Sequence, residues 1–108
     1  MALAEACYVL TRHFPKDEMF GLTGQIRRAA ASVPANIAEG HGRDQTRSFV
    51  QFLRIAQGSL KEIETHLLLS ERVGLVKDTD IKTAMEQCEA VGKMLRVLIR
   101  SLQQKAAD

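Results

Sequence analysis

Three histidines, two cysteines and a scatter of arginines are the side chains of this 108-residue chain with most reach for chemistry. His13, His41 and His66 stand far apart, and none has another histidine or a cysteine at ligand spacing. A helical di-iron site needs Glu-x-x-His on two helices. Glu62 and Glu64 precede His66 by four and two residues, so that spacing fails. The sequence holds no phosphate-binding Walker loop, no nucleophile elbow and no Cys-x-x-Cys pair. Nothing here assembles an acid–base, nucleophilic or metal constellation. A protein that is not an enzyme, without metal or cofactor, is the expectation. Cys7 and Cys88 lie within apolar patterns, as two small buried hydrophobes in a reducing compartment would.

The arginines offer more. Arg27, Arg28, Arg43, Arg47 and Arg54 face only two acids in the same stretch, Glu39 and Asp44. Arg43, Arg47 and Arg54 are four and seven apart and can share a helix face. Lys93, Arg96, Arg100 and Lys105 follow with no acid between them, and the first three share a face. Such stripes suit phosphate contacts. No aromatic is interleaved for base stacking, so sequence-specific readout is not expected. Each stripe taken alone also reads as an ordinary solvated face. The formal charge of +2 permits a polyanionic partner without demanding one.

These residues need elements to position them. Helical period appears four times, and no alternating run or hairpin turn marks a strand. The spacing predicts helices over about residues 2–13, 16–39, 45–73 and 79–104. Leu3, Cys7, Leu10 and Phe14 share one face of the first, which Pro15 ends. Leu22, Ile26, Ala29, Val33 and Ile37 stripe the second, which could start irregularly near Gly21. Phe49, Leu53, Ala56, Leu60, Ile63, Leu67 and Ser70 form a heptad seam on the third, with Asp44 as its cap and Gly74 at its end. Ile81, Ala84, Cys88, Val91, Leu95, Leu98 and Leu102 form another on the fourth, capped by Asp78. Lys82–Glu86 and Glu89–Lys93 are spaced as exposed i,i+4 pairs. Short connections between such helices predict one all-α domain over residues 1–108: an antiparallel, left-handed, up-down-up-down four-helix bundle.

Two mismatches stand out. At 1.5 Å per residue the third and fourth helices run to roughly 40 Å and the first to about 18 Å. Either a groove is left open, or Met1 is not the natural start. The long helices also carry surplus apolar residues: Val50, Phe52, Ile55, Leu68 and Leu69 on the third, Met85, Met94, Val97 and Ile99 on the fourth. Self-association would cover them; a wide intrachain core is the other possibility. With no basic start leading into an apolar run and no apolar stretch of about 20 residues, a soluble cytoplasmic protein without a membrane role is expected.

The stretch SVPANIAEGHGR, Ser32 to Arg43, reads as a joint rather than an active site. Pro34 removes a backbone donor and predicts a kink. Gly40 suits a left-handed residue after the helix end, with Gly42 in the turn and His41 exposed at its tip. Ser32, Asn36 and Glu39 form a polar row expected to meet Gly58, Ser59 and Glu62, with glycine allowing close approach and Arg43 neutralising Glu39 or Glu62. A ligand or nucleic-acid contact is the competing reading.

QIRRAAASVPANIAEGHGR and FLRIAQGSLKEIETHL together resemble a family of bundle proteins encoded in intervening sequences of bacterial 23S ribosomal RNA genes. Ser32, Pro34, Asn36, Ile37, Ala38, Glu39, Gly40 and Arg43 fit its first motif. Ala56, Gly58, Ser59, Leu60 and Glu62 fit its second. The resemblance runs from about Phe14 to Leu102 and implies a four-helix bundle assembling into homopentameric rings. A related branch, the accessory proteins of diversity-generating retroelements, is basic and binds nucleic acid and a reverse transcriptase. Family members usually carry a longer first helix than MALAEACYVLTRHFP allows. The functional expectation is a homo-oligomer presenting basic surface to RNA or DNA, or else a protein-interaction scaffold with no nucleic-acid role.

Overall fold

The computed structural model describes residues 1–18 and 20–107. Four α-helices carry the chain: α1 (Ala2–Thr11), α2 (Leu22–His41), α3 (Thr46–Arg72) and α4 (Asp78–Ala107). No strand occurs among the described residues. Each helix packs on two others, α1 and α3 on both α2 and α4, and among the described residues the backbones of the diagonal pairs do not approach within 8 Å. The result is an elongated helical bundle, 50 × 22 × 18 Å.

The heptad seams become the core. Leu53, Ala56, Leu60, Ile63, Leu67 and Ser70 of α3 are buried, as are Ile81, Ala84, Cys88 and Leu95 of α4. Opposite them lie Leu3 and Cys7 of α1 and Ile26, Ala29, Ala30 and Val33 of α2. Part of the surplus apolar set is core after all: Ile99 is buried, and Val50 and Met85 pack half-buried against it. Phe52 is half-buried as well, and the rest of the set stays outside, with Ile55, Leu68, Leu69, Met94 and Val97 all more than two-fifths exposed; Val73, just past α3, is exposed too.

Several helix ends differ from expectation. The second helix does not begin at residue 16. A 3-10 turn, Lys16–Glu18, comes first, and the Glu18 carboxylate then accepts the Leu22 N–H at 3.3 Å. That acid sits where the four free N–H groups of a helix start favour negative charge. Asp44 does not cap α3: Gln45 holds the cap position in extended backbone, without a side-chain bond. Asp78 lies inside α4 rather than before it, and Asp80 accepts the Lys77 N–H at 2.9 Å. Gly74 ends α3 as expected, at φ +83°. Leu75 N–H reaches Ser70 O at 2.9 Å and Gly74 N–H reaches Glu71 O at 3.0 Å, the paired bonds of a left-handed helix stop.

α1 spans ten residues against thirty for α4. Beyond its first turn α2 and α4 flank an open apolar groove of about 220 Å³, lined by Val33, Pro34, Ile37, Val91 and Met94. Among the described residues no helix is long and apolar enough to cross a membrane.

Candidate nucleic-acid interface

The arginines expected to act together divide into three environments. Arg27 is turned inward. Its Nε donates to Thr11 Oγ1 at 2.9 Å, and its guanidinium lies 4.9 Å from the Tyr8 ring centroid. Thr11 is itself buried, its hydroxyl donating to Cys7 O at 2.8 Å. Arg27 therefore clamps α1 to α2, while its neighbour Arg28 is exposed one position round the helix.

Arg43 lies in the connection after α2, not on the α3 face that its spacing to Arg47 and Arg54 suggested. Its Nη2 donates to Glu39 Oε1 at 2.7 Å, and the guanidinium sits 5.0 Å from the Phe52 ring centroid. One contact satisfies the charge and the other anchors the turn to α3, which leaves this arginine partly occupied.

Arg47 and Arg54 are exposed on α3, and Arg96 and Arg100 are exposed on α4. None of the four makes a salt bridge among the described residues. Lys93 comes within 3.9 Å of Glu89. Lys82 and Glu86, also spaced for pairing, make no such contact. A groove of about 1050 Å³ runs between α3 and α4, with Gly58 and Lys61 on one wall and Gly92 and Arg96 on the other. Lys61, seven residues after Arg54, extends the Arg47–Arg54 face and was missed; the repeat of seven is its signal.

The SVPANIAEGHGR stretch holds α2 to α3. Asn36 Nδ2 donates to both Ser32 O at 2.8 Å and Ser32 Oγ at 2.9 Å. Ser32 Oγ lies 2.8 Å from Ser59 Oγ. Of the three partners expected on α3, the polar row meets Ser59; Glu62 is exposed. The close approach belongs to a different glycine. A Cβ on Gly40 would fall 2.8 Å from Phe52 Cβ and 2.9 Å from Phe49 Cδ1, whereas one on Gly58 would meet nothing within 4 Å. Gly40 is therefore inside α2, not a left-handed residue beyond it, and Gly42 takes the cap in a right-handed conformation. Pro34 sits within the continuous helix, and His41 is exposed with its ring edge-on to Phe49 at 5.9 Å.

Both thiols are free and buried. Burial pushes Cys7 up to about 11 and Cys88 up to about 12, the latter raised further by Cys7 and Glu64. Neither offers a thiolate near neutrality. Among the described residues no three metal-ligating side chains cluster.

A search of curated proteins finds no match to the chain. The family model of the 23S rRNA-intervening sequence protein matches residues 1–97. With a four-helix fold and nine-tenths of its length within that match, this chain belongs to the 23S rRNA-intervening sequence protein family.

Proposed function

We propose that the chain is a non-catalytic, homo-oligomeric bundle that presents an arginine-rich end to RNA or DNA. The helices run up-down-up-down in a left-handed antiparallel bundle. Support for the up-down order comes from the four-residue connection between α2 and α3, the five-residue connection between α3 and α4, and the lack of close backbone approach between diagonal helices among the described residues. The pentameric count follows from the family resemblance.

In that arrangement Arg47 and Arg54 of α3 lie beside Arg96 and Arg100 of α4. The observation that carries the reading is that these four exposed guanidinium groups have no carboxylate partner among the described residues. Stacking is not required, because the contacts address phosphates. Each phosphate neutralised releases a counterion, so affinity must fall steeply with salt. Titration of the purified protein into labelled RNA and DNA at low and moderate salt tests this. Binding that ignores salt, or none at all, sinks it. Light scattering reads the subunit count in the same sample.

A protein-interaction scaffold is the second reading, favoured by Ile55, Leu68, Leu69 and Val73, which stay exposed along α3 and just past its end. Charge reversal of the four arginines separates the two: a scaffold keeps its partner, and a nucleic-acid binder loses its polyanion.

A further inference from the structure

The α3–α4 groove has the dimensions and charge order of a seat for another helix. Along α4 it runs from Asp78 to Arg96, about 27 Å at 1.5 Å per residue. A helix about 10 Å across, half sunk over that length, displaces on the order of 1000 Å³. The groove measures about 1050 Å³. Its floor is apolar: half-buried Met85 reaches its surface, over the buried core edge of Leu60, Ile81 and Cys88. Two glycines make it deep. Gly58 leaves open space where a side chain would stand, and the gap at Gly92 is where the Arg96 guanidinium lies, with Nη1 3.4 Å from the missing Cβ position.

Its charges are unevenly placed. Toward the start of α4 the lining carries Glu64, Asp78, Glu86 and Glu89 against Lys61 and Lys82; Glu64 pairs with Lys61 at 3.4 Å and Glu89 with Lys93 at 3.9 Å, which leaves Asp78 and Glu86 against Lys82. Beyond Gly92 the charge is Arg96, followed one turn later by Arg100 on the same face. The carboxylates repel phosphate, so most of this groove does not suit a nucleic-acid strand.

We propose that the α3–α4 groove docks an amphipathic α-helix of a protein partner, its apolar stripe on Met85 and the core edge at Leu60 and Ile81, its basic end over Asp78 and Glu86, and its acidic end at Arg96. Helix-in-groove recognition uses anchors at i, i+3, i+4 and i+7. Segregated charge adds selectivity, because a mismatched helix buries like charges against like.

Two synthetic 18-residue helices test the proposal on the full chain. Both carry one leucine stripe and equal numbers of Lys and Glu. One segregates the charges to opposite ends, and the other interleaves them. By fluorescence anisotropy the segregated peptide binds about tenfold more tightly. Gly58→Leu fills the groove into open space and removes a mid-helix glycine, so it keeps or raises the melting temperature and loses the peptide. Arg96→Glu reduces the segregated peptide to the level of the interleaved one. Equal binding of both peptides, binding that survives Gly58→Leu, or no binding at 100 μM overturns the proposal. So does a Gly58→Leu protein whose subunit count falls in light scattering, since a second copy of the chain would then occupy the groove.

Discussion

Ser32 and Ser59 meet across the α2–α3 contact with their hydroxyl oxygens 2.8 Å apart. Asn36 supports the pair from one turn further along α2, donating to Ser32 Oγ at 2.9 Å. A Ser32 oxygen that accepts from Asn36 retains both a proton and a lone pair for Ser59. The three residues thus form a polar chain across the α2–α3 contact, in which either serine can donate to the other.

That chain predicts a specific pattern of loss. Ser32→Ala leaves the buried Ser59 hydroxyl without this partner and should cost about 1 kcal/mol, as should Ser59→Ala. The double variant should cost little more than either single one, because no hydroxyl is then stranded. Urea denaturation of the three proteins measures the coupling. Strict additivity would show that the hydroxyls do not act as a unit.

Gly40 and Gly58 should respond to the same substitution in opposite directions. Alanine at Gly40 drives a methyl into Phe52 Cβ at 2.8 Å, and overpacking of this kind costs about 1–3 kcal/mol. Alanine at Gly58 meets nothing and removes a mid-helix glycine, which gains up to about 1 kcal/mol. For a domain near this size each kcal/mol moves Tm by about 4–8 °C. Thermal melts should show Gly40→Ala falling and Gly58→Ala rising.

The contrast also marks what the sequence could tell. Heptad spacing places Leu53, Ile63 and Leu67 in the core because period alone decides which face of a helix is apolar. Period cannot say which glycine lies under a neighbouring helix, since that depends on where α2 and α3 cross. Gly40 therefore read as a helix stop and Gly58 as the contact, when the contact is at Gly40. Arg27 and Arg28 looked alike for the same reason. One residue of rotation turns Arg27 onto Tyr8 and leaves Arg28 exposed. The groove between α3 and α4 joins residues some thirty positions apart, and no local pattern announces such a neighbour.

The buried thiols predict an alkaline loss of stability. In the unfolded chain a thiol titrates near 8.5, whereas burial holds Cys7 up to about 11 and Cys88 up to about 12. Between those values the unfolded state binds fewer protons, so stability falls as pH rises. The contribution is fully present below about pH 8.5 and declines above it. Urea denaturation from pH 8 to 10.5 should show that decline, with a shallower slope in Cys7→Ala/Cys88→Ala. At pH 8 a thiol reagent should label the native protein only at the rate at which it opens.

Arg27 and the exposed arginines should separate stability from binding. Arg27→Ala removes the bond to Thr11 and the contact with Tyr8, at a cost of about 1–2 kcal/mol. It should leave RNA affinity unchanged at temperatures where the variant is folded. Arg47, Arg54 and Arg100 are exposed and make no salt bridge among the described residues, so alanine at each should change stability by less than about 0.5 kcal/mol. Each should weaken RNA binding and reduce the slope of log affinity against log salt by about 0.7–0.9. A slope that holds in all three variants removes these arginines from the phosphate contacts. A slope that falls only in Arg27→Ala would instead move the contact surface to the α1–α2 face.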